Sequence, residues 1–198
     1  MVVQIVGVEC LKCYLAGLAA GDGYFDLPDK YGHYRLRIFD KDKDFLKYVQ
    51  GLVNNSNLPL LTTIYWEGTT WCLMVYGNKD ILFELHNLSL NPEHSLDWLK
   101  GFVDAEGSIY TWVKKDDKTY YQINITNTNL MYLKIATNTL DKLGIKYRIV
   151  LKNEYDRRTN KIYSKTVILI NRVKSVKEFL TTVGFRHLGK LSHLLNTS

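Results

Sequence analysis

Two carboxylates, Asp22 and Glu106, close two matching stretches: Leu15-Ala-Gly-Leu-Ala-Ala-Gly-Asp-Gly23 and Leu99-Lys-Gly-Phe-Val-Asp-Ala-Glu-Gly107. The copies are in register, 84 residues apart. Read as helices, they place small residues four apart on one face, Gly17 with Gly21 and Gly101 with Ala105. A glycine inside a helix costs about 1 kcal/mol relative to alanine, so these positions need a reason. Small residues at i and i+4 let two backbones approach closely. The flanks are too polar for a bilayer, so the simplest partner for one small-faced helix is the other. Packed about a pseudo-twofold axis, the two helices bring Asp22 and Glu106 together at their C-terminal ends. Like charges there repel, and each sits at the negative end of a helix dipole. A divalent cation relieves both problems, because carboxylate oxygens are hard ligands suited to Mg²⁺ or Ca²⁺. Either acid alone reads as a solvated helix end; the two together read as a metal pair.

The remaining elements must position that pair. The first helix spans about Glu9–Asp22 and stops at Gly23. A short strand at Tyr24–Leu27, a turn at Pro28–Gly32 and an alternating strand at His33–Phe39 follow. Lys43–Asn54 reads as a helix. Leu60–Glu67 and Thr69–Tyr76 read as a hairpin about Gly68, and Asn78 opens a helix to Leu88. The second half repeats this order. Asn91-Pro92 reads as an N-cap with proline at the first helical position, opening a helix to Glu106. A hairpin of Ser108–Lys115 and Lys118–Thr126 turns at Asp116-Asp117. A helix over Asn127–Leu143 ends at Gly144. Strands at Ile145–Asn153 and Lys161–Ile170 precede helices at Val173–Val183 and His187–Leu195.

The paired stretches resemble the LAGLIDADG motif, and the chain is similar to single-chain LAGLIDADG homing endonucleases over nearly its whole length. The first copy is close; the second has Lys100 and Phe102 where a small residue and Leu are usual. The resemblance implies an α+β fold of two pseudo-symmetric α-β-β-α-β-β-α repeats. Each repeat carries a four-stranded antiparallel sheet, the two sheets forming a DNA-binding saddle, with the motif helices packed at the repeat interface. The expected division is 1–88 and 95–198, joined by a linker at 89–94.

Charge agrees with an anionic partner. The chain of 198 residues carries a net +6, with residues 1–90 at −2 and residues 91–198 at +8. The second half therefore supplies most of the long-range attraction. Cys10, Cys13 and Cys72 are too few for a disulfide scaffold or a four-cysteine zinc site, and the first two read as the start of the first helix. No apolar run reaches a membrane span, and the opening residues make a poor signal peptide. The expected location is intracellular and soluble, in the cytoplasm or nucleoid, or in an organelle that encodes the gene.

Strand alternation assigns an open sheet face. Leu36, Ile38, Ile109, Val113, Ile123, Ile125, Ile149 and Leu151 suit the core. That turns His33, Arg35, Arg37, Ser108, Tyr110, Trp112, Lys114, Tyr120, Gln122, Asn124, Arg148 and Lys152 outward as DNA contacts. Arg addresses guanine and Asn or Gln adenine in the major groove. Both faces of Thr62–Trp66 and Thr70–Met74 carry apolar residues, so neither is assigned.

The resemblance further implies one metal-binding acid per motif, here Asp22 and Glu106, with backbone carbonyls of Gly21 and Ala105 as added ligands. Each acid would serve one strand of a duplex by metal-assisted, in-line phosphodiester hydrolysis. Polar or basic groups of the family at the end of each repeat's second strand fall on Asp40-Lys41 and Asn127-Thr128. Asp40 and Asn127 would join the water network, and Lys41 is a candidate to stabilise charge. Thr128 departs from the basic residue sometimes found there, and Asp104 reads as structural. The expected metal is Mg²⁺, with Mn²⁺ an alternative and Ca²⁺ binding without supporting cleavage. The expected activity is site-specific double-strand cleavage of a long asymmetric DNA target by a monomer, and the expected coding context is an intron. An intron RNA maturase on the same scaffold, with intron RNA as partner, is the alternative. A non-catalytic DNA-binding regulator fits less well, since both acids are present. A nucleotide-binding enzyme fits poorly, since the glycines do not lie in a strand-to-helix loop.

Overall fold

Apolar and small residues occupy every turn of α1 (Leu11–Asp22), and Cys13 through Ala20 are all buried. Such a helix, apolar all round, has to be enclosed on every side. The computed structural model, which describes residues 7–26, 34–113, 119–156 and 160–195, encloses it between two halves. After α1 come β1 (Gly23–Asp26), β2 (Tyr34–Asp40), α2 (Lys43–Asn54), β3 (Leu60–Glu67), β4 (Thr70–Gly77) and α3 (Lys79–Leu90). The second half runs α4 (Ser95–Glu106), β5 (Gly107–Val113), β6 (Thr119–Asn127), α5 (Leu130–Lys142), β7 (Arg148–Asp156), β8 (Lys161–Ile170), α6 (Val173–Thr182) and α7 (Leu188–Leu195).

Each half builds one antiparallel four-stranded sheet, in the orders β1-β2-β4-β3 and β5-β6-β8-β7. Helices cover one face of each sheet. Leu36, Ile38, Leu73 and Val75 enter the first core, and Ile109, Ile123, Ile125, Ile168 and Ile170 the second. The two central helices are shared. Cys13, Ala16 and Ala20 of α1 belong to the second half's core, while Ala105 of α4 packs against the first.

The small residues do what their spacing requires. A Cβ on Gly17 would sit 2.0 Å from the Trp98 carbonyl oxygen, and one on Gly101 2.0 Å from the Tyr14 carbonyl oxygen. Gly23 ends α1 in extended backbone (φ −106°), not in a left-handed cap; a Cβ there would lie 2.4 Å from Ala19 Cα. Gly144, at φ +71°, does take the left-handed turn that closes α5, its N–H bonded to Asp141 O.

Midway along α4, Lys100 is buried. Its Nζ pairs with Asp97 Oδ1 at 2.9 Å and donates to Gly7 O at 2.7 Å. The same Asp97 accepts from the N–H of Cys10, which caps α1. Lys100 thus departs from the motif in order to tie the helix starts together. All three cysteines are free thiols.

Several boundaries differ from the sequence reading. Asn91-Pro92 does not open α4: Asn91 closes α3, its N–H bonded to Asn87 O, and α4 starts at Ser95 after His94. Asn127 stays in β6, paired opposite Thr166, and Asn129 caps α5 instead. β7 starts at Arg148 rather than Ile145, because Ile145 is buried beneath the Gly144 turn and pairing with β8 begins three residues later. Val113, at the end of β5, and Ile149 and Leu151, on the edge strand β7, are exposed rather than in the core as expected. A groove of ≈ 400 Å³ between α5 and β7–β8, lined by Leu130, Ile149 and Leu151 among others, leaves the last two uncovered. The Pro28–Gly32 turn, the Asp116-Asp117 turn, His33 and Lys114 lie outside the described residues. Among the described residues no helix is long and apolar enough to cross a membrane.

Candidate active site

The close approach of α1 and α4 delivers their last residues to one place. A Cβ on Gly21 would fall 2.4 Å from Ala105 Cβ and 2.9 Å from Glu106 Cγ. Asp22, an exposed residue, and Glu106, half-buried, therefore converge at two helix C-termini. Burial, first, and the facing charge of Asp22, second, push the Glu106 carboxyl up to about 7; a hydrogen bond from Asn127 and the positive charges of Lys190 and Lys165 hold it back. Burial raises Asp22 as well, opposed by Lys190 and reinforced by Asp40. Among the described residues no three His, Cys, Asp or Glu side chains form a complete metal cage. Two carboxylates with nearby carbonyls still fit a hard cation, since Mg²⁺ keeps several waters and is held by one or two carboxylates plus phosphates.

The ends of the second strands flank this pair. Asn127 Nδ2 donates to Glu106 Oε1 at 2.6 Å, and Asn127 Oδ1 accepts from Asn129 N–H at 2.7 Å. Asp40 is its counterpart in the first half, with Oδ1 accepting from Asp42 N–H at 2.7 Å. A carboxylate cannot donate to Asp22, and Asp40 instead meets the ring of His187, Nε2 to Oδ2 at 3.2 Å. Burial alone would raise Asp40, but the His187 bond, the Asp42 N–H and nearby positive charge hold it below the usual carboxylate range. The two halves are thus chemically unequal where their topology is equal.

Lys41, expected beside the water network, is exposed beyond β2 and makes no ion pair or hydrogen bond among the described residues. The basic group at the pair is Lys190, which sequence reasoning missed. Its Nζ donates to Ala105 O, one of the carbonyls expected to bind metal. Burial lowers the Lys190 ammonium, against the stabilising charges of Asp22, Asp104, Asp40 and Glu106. Asp104 is a structural anchor. It accepts from Arg186 Nε (2.5 Å), Arg186 N–H (2.7 Å) and Tyr14 OH (2.9 Å), all buried.

The open sheet faces carry most of the expected polar set. Tyr110 and Trp112 are exposed on β5, and Trp112 stacks on Tyr120 at 6.0 Å between centroids. Ser108 and Gln122 are half-buried, and Arg148 and Lys152 exposed, on that same face. Asn124 is the exception. It stands in the row Ser108–Asn124–Leu169–Arg148 but is 5% exposed, accepting from Gln122 Nε2 at 2.9 Å, so its edge is not open to a groove. In the first half, Arg37 is held by Asp26 (2.8 Å) and Glu67 (3.3 Å), and Arg35 lies over the Tyr76 ring. The hairpin that alternation left unassigned turns Ile64 and Leu73 inward. Thr63, Tyr65, Met74 and Tyr76 then share the face of the two arginines.

Two sheets related by pseudo-symmetry, joined through acid-ended helices with small residues at the contact, define a two-repeat LAGLIDADG protein, and the chain belongs to that family. One family model, a LAGLIDADG-like domain, matches residues 93–184, and a second, the WhiA LAGLIDADG-like domain, matches residues 11–66. Among curated relatives, the homing endonuclease I-DmoI of Desulfurococcus mucosus is 27% identical over 93% of this chain and 92% of its own. The uncharacterized protein MJ0314 of Methanocaldococcus jannaschii is 26% identical over 69% of this chain, which spans 55% of that protein. The crystal structure of I-DmoI with DNA and Mn has a TM-score of 0.62 at 23% identity, covering 88% of this chain and 96% of that one. That of the LAGLIDADG homing endonuclease I-GzeII with its DNA target has a TM-score of 0.56 at 12% identity, covering 95% and 88%.

Proposed function

We propose that the protein is a site-specific DNA endonuclease that cuts both strands of a long, asymmetric duplex with divalent metal ions. The observation that carries this reading is the convergence of Asp22 and Glu106 at the junction of two open, polar sheet faces. One sheet seats each side of the target, and the unequal halves read unequal half-sites. Asp22 and Glu106 would hold the metal, Mg²⁺ by preference, with the Gly21 carbonyl as a further ligand. When bound, the metal supplies Lewis acidity toward the phosphate and a polarised water. Asn127 orients Glu106 through its 2.6 Å hydrogen bond, and Asp40 orders water on the Asp22 side. Arg35, Tyr110, Trp112, Gln122, Arg148 and Lys152 face the grooves, where Arg and Gln read base edges and the aromatic pair packs on the backbone. A pseudo-symmetric chain with one acid per half acts as a monomer wherever the target DNA is held. The relative named a homing endonuclease supports the reading, and the DNA-bound relatives support the saddle as the binding surface.

The test is digestion of a random-sequence duplex library in Mg²⁺ and, separately, in Ca²⁺, with sequencing of the ends. One recurrent long motif cut on both strands only in Mg²⁺ is the expected result. An absence of cutting from a library that covers the sequence space would contradict it and make structured intron RNA the next ligand.

A further inference from the structure

The Cys10-Leu-Lys-Cys13 stretch at the start of α1 is not accounted for by the fold alone. Cys10 is the N-cap of the helix, where Ser, Thr, Asn or Asp is the usual choice because a side-chain oxygen accepts well. Its sulfur is a weak acceptor and takes the Cys13 N–H only at 3.4 Å. Cys13 is fully buried in the second half's core, a place that any small apolar residue could fill. Neither role explains the pair: the two sulfurs stand 2.8 Å apart. Cys72, by contrast, lies in the first half's sheet, opposite Phe39 and Tyr65. The backbone around the pair is tied down independently of the sulfurs. Cys10 N–H donates to Asp97 Oδ2 at 2.8 Å, and Cys10 O accepts the Tyr14 N–H at 3.0 Å. A frame that spans both central helices therefore holds the sulfurs in contact. Among the described residues no group of three His, Cys, Asp or Glu side chains makes a metal site, so the chemistry open to the pair is that of a dithiol. The two thiols are unequal. Cys10 is half-buried, whereas Cys13 is enclosed, and burial pushes its thiol up. One thiol is placed to begin an exchange and the other to finish it. The pair sits at the end of α1 opposite Asp22, about 18 Å away at the helical rise per residue, and so lies outside the carboxylate site.

We propose that Cys10 and Cys13 are a redox-active dithiol, oxidised by low-molecular-weight disulfides, whose closure locks the start of α1. Cys10, as thiolate, attacks one sulfur of the small disulfide. A mixed disulfide forms, and one small thiolate leaves and takes up the proton that Cys10 released. Cys13 then gives its proton to solvent, attacks Cys10 Sγ and forms the Sγ–Sγ bond. The second small thiolate leaves and is protonated in turn. Two protein thiols are oxidised and one small disulfide is reduced to two thiols, so no other oxidant is needed. The new bond replaces a contact that already exists, and it fixes the first turn of α1 rather than unwinding it.

The test treats the native full-length protein with oxidised glutathione, blocks the remaining thiols with iodoacetamide and maps the peptides. Trypsin cuts after Lys12, between the two cysteines, so the bond shows as two joined peptides. Wild type is expected to lose two hydrogens, to hold a Cys10–Cys13 bond with Cys72 alkylated and no glutathione retained, and to revert fully in dithiothreitol. Its melting temperature should rise by about 4 °C, from the chain entropy that a short ring removes. Without oxidant, a brief iodoacetamide pulse should label Cys10 about tenfold faster than Cys13. Cys13→Ala removes the second thiol and should stop at the mixed disulfide, with one glutathione kept on Cys10. Alkylation of all three cysteines in wild type after native oxidation would overturn the proposal, as would a stable mixed disulfide or a bond to Cys72. Labelling of Cys13 as fast as Cys10 would overturn the order of attack, and a bond formed with no rise in melting temperature would overturn the lock. If Cys13→Ala does not fold, the wild-type peptide map and labelling order decide the matter alone.

Discussion

Replacing Gly101 by alanine adds one methyl group at the point where the two halves touch most closely. That methyl would lie 2.0 Å from Tyr14 O, 2.8 Å from Leu18 N and 3.0 Å from Tyr14 C. An ordinary contact starts near 3.4 Å, so the helices must part by about 1.4 Å at their crossing. The obstacle is backbone, which cannot swing aside as a side chain can. Overpacking of this kind costs about 1–3 kcal/mol, against which alanine returns about 1 kcal/mol of helix propensity. We take the upper end, because Cys13, Ala16, Trp98 and Phe102 around the crossing are all buried and have no room to adjust. The expected net loss is about 2 kcal/mol. Gly51→Ala is the control: Gly51 lies within α2 with nothing within 4 Å of its would-be Cβ, so alanine there should stabilise by up to about 1 kcal/mol. Gly17→Ala strikes the same crossing from the other helix, so the double variant should lose less than the summed single losses. Urea denaturation of wild type and the four variants reads all of this. Gly101→Ala as stable as Gly51→Ala would refute the claim that the glycines exist for backbone contact.

Glu106 titrates in the folded protein near 7, above its unfolded value of 4.5. Between those pH values the folded state holds the extra proton, so metal-free stability should fall as pH rises from about 4.5 to 7 and then level off. The full shift sets a ceiling of about 3 kcal/mol, and partial exposure reduces the expectation to about 1–2 kcal/mol. Glu106→Gln should flatten that slope and raise the melting temperature at pH 8 in chelator, even as it removes a proposed ligand; a slope unchanged by Gln would contradict the assignment. Asp104→Asn leaves Arg186 buried without its charge partner and should cost about 3–5 kcal/mol in denaturant. Loss below about 1 kcal/mol would mean that the segment after α6 is not anchored there.

How much of this was legible in the sequence depends on the range of the interaction. The paired helices were legible because the glycine doublets, costly in a helix, and the terminal acids recur in register. Asp40 and Asn127 followed from the family's strand ends. The false helix start at Asn91-Pro92 shows a local capping signal spent on closing the preceding helix. Asn124 alternates outward as expected, yet Gln122, two residues along the same face, folds over it. Ile149 and Leu151 alternate inward but lie where α5 leaves the sheet uncovered. Lys190 carried no signal at all: it sits 84 residues beyond Glu106 in an ordinary amphipathic segment, and long-range contacts, the buried Arg186–Asp104 pair and His187 on Asp40, bring it to the site.

The central claim is that two carboxylates, one from each half, jointly produce a double-strand break. Its most direct test is strand-resolved cleavage of the selected duplex, labelled on each strand, by wild type, Asp22→Asn and Glu106→Gln in Mg²⁺, with binding measured in parallel. Wild type is expected to cut both strands and neither variant to make a double-strand break, with DNA binding kept in both. Double-strand cleavage at the wild-type rate by either variant would contradict it.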